Sequence, residues 1–469
     1  MTQVLVIGAG ITGLSAAWEA MRAGARVTLV EASPWTGGKV RTERVDGFVI
    51  EHGPDSFVSY RPAALGLIND LGMSDEVISV GGTRAVHLRA EGRLLPLPEG
   101  MGMVLPTRMG PFVRTPILSW RHKARAGLDL VLPRRLGPAD ISAGAFLRAR
   151  LGDGVVDRFA QPLIGGIYGA GIDELSLDAV LPTLRTNEQE HRSLMVASLA
   201  QGRDARRRAR DSGAPAPGSP FRSLRAGLGA LPERLEADLR AGGADVRLAT
   251  RVERLEPDST GTAATFSDGS VERFDAVVLA VGAAAMAELV EPAAPGAAGA
   301  LRAIPHSTTT VVTLAYADRA FGSVPTTQGW LEAGEAPISG VTISSNKWAG
   351  RAPGGFVLLR AFVPQRRGPL ASAPDDEVLS VVTAHIGSVL GIGNRPSLTR
   401  VTRWTQAMPT YTVGHLDRVA AVEAALAQVP GWHAAGSALH GVGVPECIAD
   451  GRRVAREAVA GIGAAPAPR

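Results

Sequence analysis

Val4-Leu5-Val6-Ile7-Gly8-Ala9-Gly10-Ile11-Thr12-Gly13 opens the chain and decides its fold. A short apolar run of strand character leads into G-x-G-x-x-G. Residues 14–23 carry a helix-compatible pattern, and a second β-rich run at residues 26–30 ends on Glu31. Strand, glycine turn, helix, strand and acid are the parts of a dinucleotide-binding unit, with the acid about twenty residues beyond the glycines. Gly8 permits the tight turn, Gly10 lets the backbone approach a pyrophosphate, and Gly13 lets helix and strand pack closely. Ala9, Ile11 and Thr12 lie where a helix begins, so free N–H groups and the positive dipole end face a bound phosphate. Glu31, followed by Ala32, can accept hydrogen bonds from ribose hydroxyls.

Which dinucleotide follows from three later segments. Gly37-Gly38-Lys39 is a second glycine pair with a basic residue, suited to the other side of a pyrophosphate, though alone it reads only as a turn. Residues 275–282 form a buried-strand run ending in a small-residue turn. Residues 432–437 lead through Gly436, Gly441 and Gly443 to a helix-like stretch at 445–459. That late helix start could stabilise negative charge on the pyrimidine side of a reduced flavin. A nicotinamide enzyme has no evident need for it, so FAD is the expected cofactor.

Composition bounds the rest. A chain of 469 residues exceeds what one hydrophobic core supports, which predicts two or more lobes. Hydrophobic residues at 45% and charged residues at 20% are ordinary globular usage. No apolar run nears the roughly eighteen residues of a membrane span. The first strand begins at once with no leader pattern, so a cytoplasmic location is expected. Cys447 is the single cysteine, which excludes an internal disulfide and a multi-thiolate metal site. The net charge of +4 is carried by the arginine run at residues 201–210, and the following Gly/Pro/Ser-rich residues read as a mobile basic loop near 201–220. The aromatic interleaving of a nucleic-acid binder is absent.

The pattern predicts an α/β (α+β overall) architecture. A discontinuous Rossmann-like FAD-binding domain takes residues 1–70, 225–290 and 400–469. An antiparallel-sheet substrate-binding domain takes 71–92 and 291–399, and a helical insertion takes 93–224 with helices at 139–151 and 154–164.

Beyond the nucleotide motifs, the chain carries Gly53-Pro54-Asp55-Ser56-Phe57, Gly166-Ile167-Tyr168-Gly169 with Glu174-Leu175-Ser176, and Glu190-His191-Arg192-Ser193-Leu194. It also carries Asn346-Lys347-Trp348, Arg403-Trp404, Met408-Pro409-Thr410-Tyr411, Gly414-His415 and Gly441-Val442-Gly443-Val444-Pro445-Glu446-Cys447-Ile448. Nearly end to end, this set resembles the oxygen-dependent porphyrinogen oxidases of haem synthesis, within the amine oxidase superfamily. Its details are similar to the soluble Gram-positive branch, the coproporphyrinogen III oxidases. Two departures are Thr410, where many relatives carry Gln, and Asp450-Gly451, in place of Ser-Gly or Gln-Gly; neither is expected to remove activity.

The resemblance implies FAD-dependent oxidation of coproporphyrinogen III to coproporphyrin III, with O₂ reoxidising the flavin and yielding H₂O₂. The alternatives are protoporphyrinogen IX as substrate, a flavin amine oxidase in which Lys347 would matter, or a non-enzymatic flavin-binding protein presenting its arginine run. It implies FAD contacts at Gly8 to Gly13, Glu31, Ala32, Lys39, Gly53, Pro54, Asp55, Ser56, Val252, Trp404, Val442, Gly443 and Val444, which join Gly38 and Gly436. On the substrate side, Tyr168 is expected to orient a pyrrole, between Gly166 and Gly169, which allow close approach to a flat ligand. Basic residues should meet the substrate's propionates, with Arg192, Arg41 and Lys347 as candidates. His191 and His415 read as structural. The expected partners are a tetrapyrrole and O₂, without nucleic acid; transient contact with other haem-synthesis enzymes or a membrane surface stays open, as does monomer against homodimer.

Overall fold

Strands from well-separated stretches of chain make one parallel sheet, in the order Asp245–Arg247, Arg26–Val30, Gln3–Ile7, Ala276–Leu279, Trp432–Ala434. The computed structural model describes residues 1–81, 86–102, 104–211 and 219–462. The sheet is buried on both faces, which is why its strands are continuous apolar runs. Val4, Val6, Val27, Leu29 and Val278 point into one apolar cluster, while Leu5, Ile7, Val277 and Leu279 point into another. The first face is covered by the helices Ile11–Arg22, Ala230–Ala241 and Val444–Ile462. The second is covered by the three-stranded sheet of Val252–Asp258, Gly261–Phe266 and Val271–Phe274, with the helices Ala283–Val290, Pro295–Arg302 and His415–Leu426. Strand order reverses between Gln3–Ile7 and Ala276–Leu279, and open α/β sheets bind ligands at such a switch point, beyond the carboxyl ends of the strands.

A second, seven-stranded sheet runs Leu398–Pro409, His306–Ala317, Phe356–Pro364, Gly340–Ile343, Gly329–Glu332, Val86–Ala90, Arg93–Pro96. It is antiparallel except where Gly329–Glu332 pairs in parallel with Val86–Ala90. The helix Asp375–Leu390 seals one face, burying Val378, Val382 and Ile386 against Val312, Leu314, Val341 and Leu359.

The helical part departs from the sequence expectation in three places. The helix predicted over 139–151 runs Ala143–Leu151, because the Ser142 hydroxyl accepts from Ala145 N at 3.1 Å and fixes its start. The helix predicted over 154–164 is a widened π-type helix, Val156–Gly165, with Pro162 inside it. A proline removes one N–H from the ladder, which favours such irregular turns. The basic loop expected near 201–220 is instead helical over 201–211, within the single helix Leu194–Asp211, and residues 212–218 lie outside the described residues. Arginine is a good helix former, no proline interrupts the run, and Arg207 and Asp211 pair one turn apart at 3.7 Å. Among the described residues, no helix is long and apolar enough to cross a membrane.

Candidate active site

The glycine turn sits at the carboxyl end of Gln3–Ile7, and each glycine answers a different neighbour. Gly8 has φ +98°, and a Cβ there would lie 2.7 Å from the Ala280 carbonyl oxygen. A Cβ on Gly13 would stand 1.8 Å from the Gly8 carbonyl oxygen. At Gly10 a Cβ would meet nothing within 4 Å, so this face is open to a ligand. The helix starts at Ile11 with no side-chain cap, leaving the N–H groups of Ile11, Thr12 and Gly13 pointed at that opening. Glu31, at the end of the second strand, accepts from Ala9 N at 2.7 Å through one carboxylate oxygen. The other accepts from Ser33 N and Ser33 Oγ at 2.9 and 2.8 Å. Ala32 beside it is exposed. Gly37 N donates to Ala9 O at 2.8 Å, and a Cβ on Gly38 would lie 3.1 Å from Gly10 Cα, so the second glycine pair backs directly onto the first.

Distant segments complete the cradle. Ala249 N donates to Ser33 O and Thr250 N to Glu31 O, which brings the strand opening with buried Val252 alongside the acid. The C-terminal turn holds Gly436, at φ +130°, whose N–H donates to Asp450 Oδ2 at 2.8 Å. Val442, Gly443 and Val444 lead into the C-terminal helix, which packs so closely on the fingerprint helix that a Cβ on Gly451 would lie 2.2 Å from Thr12 O. Gly53 passes over Lys39, where a Cβ would be 1.9 Å from the Lys39 carbonyl oxygen, and Trp404 Nε1 donates to the neighbouring His52 O at 2.8 Å. Lys39 Nζ donates to Ala407 O at 2.6 Å and Ser437 Oγ at 3.3 Å, and burial pushes its pKa down.

The turn Gly53, Pro54, Asp55, Ser56 is fastened by charges that the sequence does not announce. Arg360 Nη2 donates to Gly53 O. Asp55 accepts from Lys347 Nζ at 2.9 and 3.0 Å and from Trp348 Nε1 at 3.2 Å, and Ser56 Oγ donates to it at 2.7 Å. Burial resists ionisation of Asp55, but Lys347 and Arg360 outweigh it and hold the carboxyl well below the usual carboxylate range. Lys347 is thus engaged by Asp55. Arg192, at φ +62°, donates from Nη2 to Leu130 O at 2.9 Å and is likewise engaged by protein, in the helical part.

Tyr168 ends the short turn Gly166–Tyr168 after the widened helix. Gly166 is exposed, and Gly169, at φ +63°, presses its backbone on the second sheet, where a Cβ would lie 2.9 Å from Ser307 Oγ. The Tyr168 ring stands 5.7 Å from that of Tyr411, which is stacked on His415 at 3.8 Å. Burial and the nearby Glu446 carboxylate push the Tyr168 phenol up to about 12. Tyr411 Oη donates to Ser437 O at 2.7 Å and accepts from Gly441 N at 2.8 Å, so it ties the aromatic row to the C-terminal cradle turn. Burial pushes His415 down to about 4, and its Nε2 bonds Leu439 O at 3.1 Å. Burial also pushes the Cys447 thiol up to about 11. Among the described residues, no cluster of His, Cys, Asp and Glu could hold a metal.

The opening at Gly10, the uncapped helix start beside it and the C-terminal turn facing them fit a bound dinucleotide. Comparison with known proteins agrees. Residues 11–459 match the model of flavin containing amine oxidoreductases. A coproporphyrinogen III oxidase of Propionibacterium freudenreichii is 56% identical, over 97% of this chain and 90% of that protein. One of Bacillus subtilis is 33% identical, over 97% of each. A crystal structure from Exiguobacterium sp. 255-15 superimposes with a TM-score of 0.84 at 31% identity, covering 97% of this chain and 98% of that one. The cofactor of this fold is FAD, and the chain belongs to the flavin containing amine oxidoreductase family, on the branch that holds these coproporphyrinogen III oxidases.

Proposed function

We propose that this chain oxidises coproporphyrinogen III to coproporphyrin III in haem synthesis, with O₂ as the final acceptor and H₂O₂ as by-product. The observation that carries this reading is the 56% identity to a coproporphyrinogen III oxidase over 97% of the chain. When bound, FAD supplies the acceptor for hydride from an sp³ carbon between two pyrroles, in repeated two-electron rounds. The protein binds, orients and shields. The Ile11 helix start holds the pyrophosphate, and Glu31 holds the ribose. Tyr168, kept protonated at neutral pH, presents its O–H as a donor to a macrocycle laid along the Tyr168–Tyr411 row. His415 is neutral, its Nε2 bonds Leu439 O and its unpartnered Nδ1 is buried out of contact with any ligand space, so it does not serve as the base. Pyrrole N–H protons leave to solvent.

The test is porphyrin fluorescence over time, with the purified yellow protein in air and coproporphyrinogen III and protoporphyrinogen IX supplied in parallel. Faster conversion of coproporphyrinogen III is the expected result. Preference for protoporphyrinogen IX would overturn the substrate assignment, and no rate above the autoxidation blank would overturn the reaction.

A further inference from the structure

The C-terminal cradle turn carries a histidine with a carboxylate at each ring nitrogen. His440 Nδ1 lies 3.1 Å from Asp450 Oδ1, and its Nε2 lies 3.0 Å from Glu423 Oε1. A neutral imidazole has one N–H, so it donates to one of these acids and turns a lone pair toward the other. Only the imidazolium donates to both. The three residues stand on three elements. His440 closes the turn that begins at Gly436, its N–H donating to Gly436 O at 3.4 Å. Glu423 is on the helix His415–Leu426 and Asp450 on the helix Val444–Ile462.

Asp450 is one of the two positions at which this chain departs from the family pattern. Its carboxylate is buried, and Oδ2 accepts from Gly436 N at 2.8 Å, the bond that seats the turn on the C-terminal helix. Oδ1 faces His440 and also accepts from Arg453 Nη2 at 2.7 Å. Arg453 lies on the same helix as Asp450 and pairs there with Glu457 at 3.0 Å, so it joins no second element. His440 does. A Ser or Gln side chain at 450 would bring no charge to meet an imidazolium. The hydrogen bond to Asp450, then the charges of Asp450 and Glu423, push the His440 pKa up from the ordinary histidine value, against burial and the charge of Arg453. On the helix that carries Glu423, burial pushes His415 down to about 4, so that ring stays neutral, and Arg418 is engaged by Thr412 O and Val413 O.

The turn held in this way faces the fingerprint helix. A Cβ on Gly436 would lie 3.8 Å from Thr12 Oγ1, and Lys39 Nζ reaches the next residue, Ser437, at 3.3 Å. We propose that His440, as an imidazolium clamped between Asp450 and Glu423, is a positioning residue that seats the Gly436 turn for FAD. Clamped, the turn is tied to both helices at once. When His440 loses its proton, one carboxylate meets a lone pair and that contact opens, which leaves the turn tied to one helix fewer. A histidine whose folded pKa is raised contributes stability that is full below the unfolded value of about 6.5 and is lost as pH rises through the folded value. FAD binds the seated turn, so its affinity follows the same direction and falls as pH rises.

The experiment titrates FAD into the FAD-stripped wild type, His440→Gln, Glu423→Gln and Asp450→Asn, read by flavin fluorescence at about pH 6 and about pH 9. The urea midpoint of each apoprotein is measured alongside. A hydrogen bond to a charged group is worth roughly tenfold in an equilibrium. The expected result is a wild-type FAD affinity about tenfold lower at the higher pH. Each variant should bind at the lower pH about as weakly as the wild type does at the higher, with its pH dependence flattened. Asp450→Asn keeps an acceptor for Gly436 N and removes only the charge. Glu423 is half exposed and away from Gly436, so Glu423→Gln keeps the test decisive should a buried change fail to fold. A wild-type affinity that is flat with pH would overturn the proposal. So would a pH dependence that survives in His440→Gln, since another group would then carry it. Lower urea midpoints with FAD affinity unmoved would overturn it in favour of a clamp that serves stability alone. No substrate enters the measurement, so its outcome is independent of the proposed function.

Discussion

Gly10 and Gly13 lie three residues apart in one motif, yet the same substitution should do opposite things to them. In Gly13→Ala the new methyl would stand 1.8 Å from the Gly8 carbonyl oxygen and 3.2 Å from Ala280 Cβ. The obstacle is backbone at the centre of the parallel sheet, with no flexible side-chain end that could swing away. The fingerprint helix would have to lift by about an ångström from a close-packed face, and overpacking of this kind costs roughly 1–3 kcal/mol. In Gly10→Ala the methyl meets no protein atom within 4 Å, and the residue sits at φ −66°, ψ 174°, where alanine is unstrained. Such a substitution stabilises a protein by roughly 0.4–1 kcal/mol, by narrowing the unfolded ensemble. On the proposed placement of the pyrophosphate at this open face the methyl takes up its space, so FAD affinity should fall at least about tenfold, or about 1.4 kcal/mol. The assay is urea denaturation of FAD-stripped protein, followed by FAD titration read by flavin fluorescence. Gly13→Ala should lose apoprotein stability, and Gly10→Ala should keep or gain it while losing FAD. Wild-type FAD affinity in Gly10→Ala would refute the assignment of the open face to the cofactor, and unchanged apoprotein stability in Gly13→Ala would refute the packing argument.

Two further perturbations test the fastenings of the cradle. Lys347→Met leaves the Asp55 carboxylate buried, with Trp348 Nε1 at 3.2 Å, Ser56 Oγ at 2.7 Å and Arg360 no nearer than 3.8 Å. Removing one partner of such a pair costs about 3–5 kcal/mol, measurable as a lower urea midpoint. Because the folded-state pKa of Asp55 is depressed, its stabilisation is full above the unfolded carboxylate value near pH 4 and is lost as pH falls below it. The urea midpoint should therefore drop on going from about pH 5 to about pH 3, and less steeply in Asp55→Asn. Tyr411→Phe keeps the ring stack but strands Ser437 O and Gly441 N, at a cost of about 1–3 kcal/mol. It should release FAD at lower urea than the wild type, and an unchanged release midpoint would show that the hydroxyl does not brace the turn.

What the sequence disclosed depended on how far apart the interacting residues lie along the chain. Gly8, Gly10, Gly13 and Glu31 belong to one local strand–turn–helix–strand unit, so their spacing alone carries their geometry. The apolar runs at residues 4–7 and 276–279 read as strands for the same reason, and the structure shows alternate residues of each run entering separate clusters on the two faces of the sheet. The arginine run at 201–210 was misread as loop because composition weighed more than helix propensity, and its pairing with Asp211 continues the helix rather than ending it.

The fastenings are different in kind. Asp55 meets Lys347 across 292 residues, and Gly53 meets Arg360 across 307, with no periodicity to announce either contact. Of the three cations that residue type offers for propionates, Lys347 bonds Asp55, Arg192 bonds Leu130 O, and Arg41 lies over the Trp35 ring at 4.5 Å. With Lys39, Lys123 and Lys347 as its lysines, this chain places arginine at nearly every basic position, so residue type discriminates poorly between a structural cation and a ligand-reading one. Partnership discriminates better. Arg367 spends its guanidinium on three carbonyls, whereas the buried Nε and Nη2 of Arg366 next to it bond no acceptor among the described residues. Only the fold, by turning one of two identical neighbours onto the carbonyls of Glu332, Gly334 and Ala336, separates them.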